Sequence, residues 1–285
     1  MNKKCKLNTK IKQKFFTSKD ICACICTRLD NFDYLYETLE SILKQTIQVN
    51  KILIVYSGRS NKELALRKQK FKNEYISKID TRYSEKINFL FYQQYGLGKA
   101  RNFASSKIKE NITIFGDDDD IWDKFKVEAT ISIFNKKNYP ILVRHSFNYL
   151  KNNQIIKSRK IYNFNIGLTL GSISNFFGGG SSFSGQTQIF NVIRFNEKLP
   201  FCEDWDFWMR AKLADIKIKT INTPLVTYRI HANRMTQSFF ENFKWESTVR
   251  FNLMKKGLKI SFFILVGFFI SSLKLIFRIV QKLIN

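Results

Sequence analysis

Residues 112–122 read ITIFGDDDDIW, an apolar run that stops abruptly in four consecutive aspartates. A short unbroken run of β-branched and aromatic residues is what a strand buried on both faces looks like. Four carboxylates at the end of such a strand repel one another, so folding there is costly unless a hard divalent cation joins them. A solvated acidic loop capping a helix that starts near Trp122 is the simpler alternative, because Asp favours helix starts.

Working outward, ICACICT (21–27), KILIVY (51–56) and INFLFY (87–92) have the same strand character. Helical stretches separate them. Asn31 to Thr46 carries Leu35, Leu39, Ile42 and Leu43 on one stripe behind an Asp30 or Asn31 cap. A lysine-rich stretch follows from Asn61 to Tyr75, and another helix is predicted from Leu97 to Lys109. Strands alternating with helices predict an α/β fold around a mostly parallel sheet. Such sheets bind ligands beyond the carboxyl ends of their strands. Thr27-Arg28, Ser57-Gly58 and Asp117–Asp120 all follow strand ends and should line one crevice.

The second half has a different rhythm. Pro140 to Leu150 and Gln154 to Ile161 look extended, with a hairpin through Lys151-Asn152-Asn153. Gly178 to Ser182 reads as a flexible patch. Glu203 to Ala214 reads as a helix, and Ile216 to Ile221 and Leu225 to Ile230 as strands around Pro224. These boundaries predict a basic extension at 1–19, a core at 20–238 divided near 122, and a helical tail at 239–285.

Composition limits the function classes. The chain has 285 residues, 44% hydrophobic and 15% aromatic, which excludes a disordered polycation. Its formal charge is +25, and residues 1–19 and 255–285 together carry thirteen lysines and arginines and no acid. Coding bias toward Lys, Ile, Asn and Phe is one source of this excess, and an anionic partner is the other. Five cysteines are too few for a disulfide framework. Cys22, Cys24 and Cys26 alternate and should share one strand face as buried thiols. The basic N-terminus is not followed by an apolar signal segment, so a cytoplasmic location is expected.

Three further segments carry chemistry. CEDWDFWMR (202–210) places three carboxylates and two tryptophans at a helix start, and one carboxylate could be a general base. GLGKARN (96–102) sets a turn and two cations before a helix, which suits an anion. YRIHANRMT (228–236) holds His231 between two arginines, where it could ligate a metal or hold a phosphate. His145, inside an apolar run, reads as a structural histidine.

Together with ICTR, ETLESILKQT, KILIVYSG and FNEKLPFCEDWDFWMRA, these segments occur in an order that resembles the family 2 glycosyltransferases, over residues 20–238. The resemblance implies a GT-A fold, a Rossmann-like nucleotide-sugar-binding architecture, and inverting sugar transfer of the bacterial surface-polysaccharide type. IFGDDDDIW is similar to the family's DxD site. Asp117 and Asp119 would be its two aspartates, holding Mg²⁺ or Mn²⁺ together with His231, and Asp117 and Asp118 would also lie near the ribose. Asp204 would be the catalytic base. Thr27, Arg28, Ser57 and Arg101 match donor-binding positions. Gly179, Gly180, Glu203, Trp205 and Arg234 match the sugar and acceptor side. One departure stands out: the family's acid pair after the second strand is replaced by Tyr56-Ser57-Gly58-Arg59-Ser60, so a UDP-sugar donor is a default. The implied acceptor is lipid-linked or a surface polysaccharide.

The tail adds a partner. Ile260 to Leu273 has no charge but spans only about 21 Å as a helix, short of the roughly 30 Å hydrocarbon core. Lys274, Arg278 and Lys282 follow at four-residue spacing. This predicts a helix lying on an anionic membrane, peripherally on the inner face of the cell membrane, with a tilted span or a docking helix as the alternatives. Two other functions compete: a metal-dependent nucleotidyl- or phosphoryltransferase, and a nucleic-acid-binding protein built on the basic ends. The second lacks any helix-turn-helix, zinc-finger, RRM or OB signature, so no nucleic acid partner is expected.

Overall fold

β1 (Ile21–Thr27) runs through the middle of the protein with every residue buried. Its two faces serve two cores. Cys22, Cys24 and Cys26 enter one cluster with Ala100 and Ala104, while Ala23 and Ile25 enter the other with Leu35 and Leu39. The three thiols are free and share one face as expected. The computed structural model describes residues 15–58, 60–136, 141–161, 171, 173–175, 178–231, 239–255 and 261–284.

From β1 the chain moves outward through α1 (Phe32–Leu43), β2 (Lys51–Ser57), α2 (Asn61–Glu74), the short α3 (Thr81–Ser84) and β3 (Ile87–Tyr92). Asn31 caps α1 by accepting from the Tyr34 amide at 2.9 Å. The chain then returns through α4 (Leu97–Lys107) to β4 (Ile112–Asp117) on the other side of β1. β3, β2, β1 and β4 are mutually parallel. The reversal of strand order puts the switch point between β1 and β4, whose ends carry Thr27 and Asp117.

The helix expected near Trp122 is not there. Ile121–Trp122 forms a two-residue strand, β5, and α5 (Lys126–Phe134) starts later, behind a turn in which Asp123 accepts from the Phe125 amide. The aspartates therefore cap no helix, which removes the simpler explanation of the cluster.

The remainder of the sheet is mixed. β6 (Leu142–Lys151) and β7 (Gln154–Arg159) form the predicted hairpin, with Asn152 and Asn153 at φ 50° and 59°. Both central residues in the left-handed region suit the twist of a two-residue hairpin. β8 (Ser184–Gln186) joins β4 to β6, both antiparallel. The two strands expected around Pro224 are one, β9 (Ile218–Arg229), parallel to β6. Pro224 lies where the β6–β9 register shifts, opposite Ser146, because proline supplies no amide to the ladder. The patch expected to be flexible is a buried single turn at Gly180–Ser182.

α6 (Thr187–Ile193) and α7 (Glu203–Leu213) cover the second half. Two long helices close the chain, α8 (Phe239–Lys255) and α9 (Ser261–Ile284). α8 buries Val249 and Leu253 in the same cluster as Trp205 and Phe207. Among the described residues no helix is long and apolar enough to cross a membrane.

Candidate active site

Arg101 is brought to the sheet's carboxyl edge by α4, and its side chain is 1% exposed. Nη2 donates to Asp117 Oδ1 and Nη1 to Glu203 Oε1, both at 2.8 Å. The guanidinium also sits 5.4 Å from the Phe195 ring and 5.8 Å from the Phe115 ring. Arg101 thus joins the end of β4 to the start of α7, two segments 86 residues apart in sequence at Asp117 and Glu203.

Gly180 is what lets this happen. A Cβ on it would lie 2.0 Å from Arg101 Nη2 and 2.8 Å from both Asp117 carboxylate oxygens. The neighbouring Ser181 hydroxyl accepts from the Asp117 amide at 2.7 Å. Gly179 faces Tyr228, whose hydroxyl would be 2.9 Å from an added Cβ.

Each aspartate of the cluster has its own partner. The Thr27 hydroxyl donates to Asp118 across the switch point. His231 Nε2 lies 2.8 Å from Asp119 Oδ2, with the Tyr34 ring 5.1 Å from the imidazole. Asp120 is buried and its Oδ1 accepts from the Arg229 amide at 3.3 Å. Burial, then the neighbouring aspartates, pushes the Asp118 carboxyl up to about 7 and raises Asp119 and Asp120 as well.

Glu203 and Asp204 open α7 behind Cys202, which caps the helix in a left-handed conformation at φ 61°. A non-glycine residue there is costly, and such strain gathers at functional sites. The Asp204 carboxylate accepts from the Trp205 amide at 2.6 Å and approaches Asn175 Nδ2 at 3.4 Å. Burial pushes its pKa up to about 6 against the pull of Arg101, and burial likewise raises Glu203. A carboxyl tuned toward neutrality suits general base chemistry.

Not every expected residue faces this crevice. Trp205 is 1% exposed and its Nε1 donates to the Gly171 carbonyl at 2.7 Å. That corrects the expectation of a sugar-binding surface: the indole fills core because its only polar atom finds a backbone acceptor inside. Glu203 is buried against Arg101, so its charge is used inside the protein rather than on a sugar. Arg28 stands at the rim, paired with Asp30 at 2.7 Å, and Ser57 is buried at the end of β2. Arg234 lies outside the described residues.

Several participants had no marker in the sequence. Arg229 donates to the Glu37 carboxylate and, through Nε, to the Asp119 carbonyl at 3.2 Å. Lys126 is fully buried, donates to the Ser181 carbonyl at 2.7 Å and lies 3.7 Å from the Trp122 ring centroid. Burial lowers its pKa to about 7, and Asp120 and Asp117 oppose that shift. His145 is buried and neutral, its pKa lowered to about 3 by burial and by Lys126.

Among the described residues no three His, Cys, Asp or Glu side chains converge into a ready-made metal cage. Asp119 and His231 still offer one carboxylate and one imidazole at the same open position. That set suits Mg²⁺ or Mn²⁺ held by few side chains and completed by diphosphate oxygens and water.

A mixed sheet whose first four strands run parallel, with the site at the β1/β4 switch point, defines an α/β protein of the GT-A type. The chain belongs to glycosyl transferase family 2, whose description matches residues 22–211. It is 24% identical over 189 residues to an uncharacterised glycosyltransferase of Rickettsia conorii, covering 62% of this chain and 29% of the relative. It is 26% identical over 204 residues to one from Methanocaldococcus jannaschii, covering 69% of this chain and 66% of that relative. The chain spans about a third of the length of the R. conorii relative and of one from Rickettsia felis. Among solved structures it is similar to S. aureus TarS 1-349 in complex with UDP-GlcNAc, at TM-score 0.63 and 15% identity, covering 90% of this chain and 73% of that one. A second structure of S. aureus TarS 1-349 gives TM-score 0.61 at 16% identity, over 90% of this chain and 72% of that one.

Replacing Arg101 with Met should strand Glu203 and Asp117 as unpaired charges. The expected loss is about 3–5 kcal/mol of folding stability near neutral pH. Urea denaturation measures it, and a loss below about 1 kcal/mol would remove Arg101 from the centre of the site.

Proposed function

We propose that this protein transfers a sugar, with inversion, from a nucleotide diphosphate sugar to a hydroxyl of a lipid-linked or surface-polysaccharide acceptor. The observation that carries the reading is Arg101, which brings the aspartate cluster and the Glu203-Asp204 pair into one site. Family membership supplies the reaction class. The UDP-GlcNAc bound to TarS makes a UDP-sugar the first donor to test.

In this reading Thr27, Ser57, Asp117 and Asp118 receive the nucleoside, and Arg28 stands at the mouth. Asp119 and His231 would hold Mg²⁺ or Mn²⁺, which when bound offsets the negative charge that grows on the diphosphate leaving group. Asp204 removes the proton from the acceptor hydroxyl while that oxygen attacks the anomeric carbon opposite the leaving diphosphate. One in-line displacement gives inversion. Arg101 holds Asp117 and Glu203 in place and keeps the field at Asp204 positive enough for the carboxylate form. A nucleotidyl- or phosphoryltransferase using the aspartate cluster for two metals would not need the Glu203-Asp204 helix start.

Asp204→Asn should lower turnover at least about 100-fold, the ordinary contribution of a general base. The pH–rate profile should fall as pH drops through about 6, where Asp204 takes up its proton. Stability moves oppositely. Asp204 titrates higher folded than unfolded, so its stabilising share is complete at low pH and lost as pH rises through about 6. Asp204→Asn should therefore raise Tm at pH 8 and not at pH 4. Near-normal turnover in the variant would sink the base assignment.

Donor and metal can be read without an acceptor. UDP-GlcNAc plus Mn²⁺ should raise Tm, and the metal-dependent part of that rise should vanish in Asp119→Ala and His231→Ala. A metal-independent rise that survives both variants would reject the metal site.

We also propose that α9 rests on an anionic membrane. Phe262, Leu265, Phe269, Leu273 and Ile276 recur every three or four residues and are all exposed. Lys274 is next to them, and Ile264 on the other side is buried. The full chain should sediment with phosphatidylglycerol vesicles and not with phosphatidylcholine vesicles. Phe262→Asp with Phe269→Asp should abolish that, and unchanged sedimentation would reject the surface.

A further inference from the structure

Arg250 is the second fully buried arginine, and the reaction above does not use it. It lies on α8 with its side chain at 0% exposure. Nη2 donates to the Ile173 carbonyl at 2.7 Å, to Ser271 Oγ of α9 at 3.0 Å and to Glu246 Oε2 at 3.1 Å. Ser271 Oγ in turn donates to the same Glu246 oxygen at 2.6 Å. The guanidinium is 5.1 Å from the Trp205 ring and 5.5 Å from the Phe268 ring. One guanidinium, through Nη2 and its flat face, therefore ties both C-terminal helices to the backbone at Ile173 and to the indole that follows Asp204.

The segment it grips reaches the base from the other direction. Trp205 Nε1 donates to the carbonyl of Gly171, and Asn175 Nδ2 approaches Asp204 Oδ2. Gly171, Ile173 and Asn175 are thus held between the C-terminal helices on one side and the start of α7 on the other. Gly267 of α9 makes the contact close. A Cβ there would lie 2.7 Å from Arg250 Nε and 3.1 Å from both the Cα and the carbonyl oxygen of Ile173.

We propose that Arg250 is a positioning residue for the base: by clamping Ile173 and Trp205 it sets where the Asp204 carboxylate points, and it makes the C-terminal helix pair one wall of the acceptor side. The clamp is a matter of geometry. Its consequence for turnover rests on the reading of Asp204 as base. The groups whose charge Asp204 feels are Arg101 from α4, Asp117 from β4 and Tyr228 from β9, together with Glu203 and Cys202 beside it in α7 and its cap. Arg101, Asp117 and Tyr228 lie on elements that none of the Arg250 contacts above touches, so a change at Asp204 with β1 and β4 unaltered reports the clamp.

The test uses the full chain and three variants. Arg250→Lys keeps the charge but loses the planar guanidinium that lies against Trp205 and Phe268. Arg250→Met removes both. Gly267→Val leaves Arg250 intact and wedges α9 away from Ile173, which keeps the test informative if Arg250→Met fails to fold. Hydrogen exchange should accelerate at least about tenfold at residues 171–175 and 203–206 in Arg250→Lys and Gly267→Val, with β1 and β2 unchanged. The pH at which Asp204→Asn stops altering Tm should move toward the ordinary carboxylate range in both backgrounds, as water reaches the carboxylate. With UDP-GlcNAc as donor, kcat should fall at least about tenfold with KM for UDP-GlcNAc unchanged. Exchange that rises evenly over the molecule, with an unmoved pH midpoint, overturns the proposal by making Arg250 a general stabiliser. If the exchange and midpoint move while Asp204→Asn retains activity, the clamp stands and the base reading fails. If UDP-GlcNAc is not turned over by the unaltered chain, that donor fails, and the exchange and midpoint still decide the clamp.

Discussion

A single buried guanidinium holds the two halves of this protein in register. Arg101 faces Asp117 at the end of a parallel strand and Glu203 at the start of a distant helix, with almost no solvent access. A buried charge of this kind is tolerable only when its partners are close and its remaining surface is packed, here against Phe115 and Phe195. The arrangement does little for net stability compared with a well-packed apolar substitute. It determines where two carboxylates lie, and with them the aspartate cluster and the candidate base.

The aspartate cluster shows how four like charges coexist. Asp117 meets Arg101, Asp118 meets Thr27, Asp119 meets His231, and Asp120 meets the Arg229 amide and the field of Lys126. Asp119 shares its position with an imidazole, whereas Asp117, equally exposed at 28%, is held by Arg101. The other three are anchored by groups that belong to the fold. The repulsion is therefore divided among local partners, and burial first, with the neighbouring aspartates second, holds Asp118, Asp119 and Asp120 above the usual carboxyl range.

Much of this was legible in the sequence because it is local. β1, β3 and the helix over Phe32–Leu43 follow from apolar runs and a stripe, and the hairpin at Asn152-Asn153 from turn chemistry. The crevice followed from strand order alone. Long-range pairing was less accessible. Nothing near Lys126 in DKFKVE marks it as buried, since its burial comes from Trp122 and Ser181. The inward turn of Trp205 depends on Gly171, and the role of Arg229 depends on Glu37, both far away in the chain. Pro224 read as a strand break because proline lacks an amide, yet β6 absorbs the defect as a register shift. Such outcomes are set by which surfaces meet, and residue spacing carries no record of that.

Two of the buried arginines attach the start of α7 to different parts of the fold. Arg101 approaches α7 from the sheet and holds Glu203, while Arg250 approaches the same helix start from the C-terminal helices and covers Trp205. Asp204 lies between those two attachments, one residue from each. The helix start around it is thus attached to two buried guanidiniums, whereas most of the chain's cations are lysines. The formal charge of +25 says little about this chemistry. Two guanidiniums that contribute a small part of it decide the geometry, because burial rather than number gives a charge its leverage.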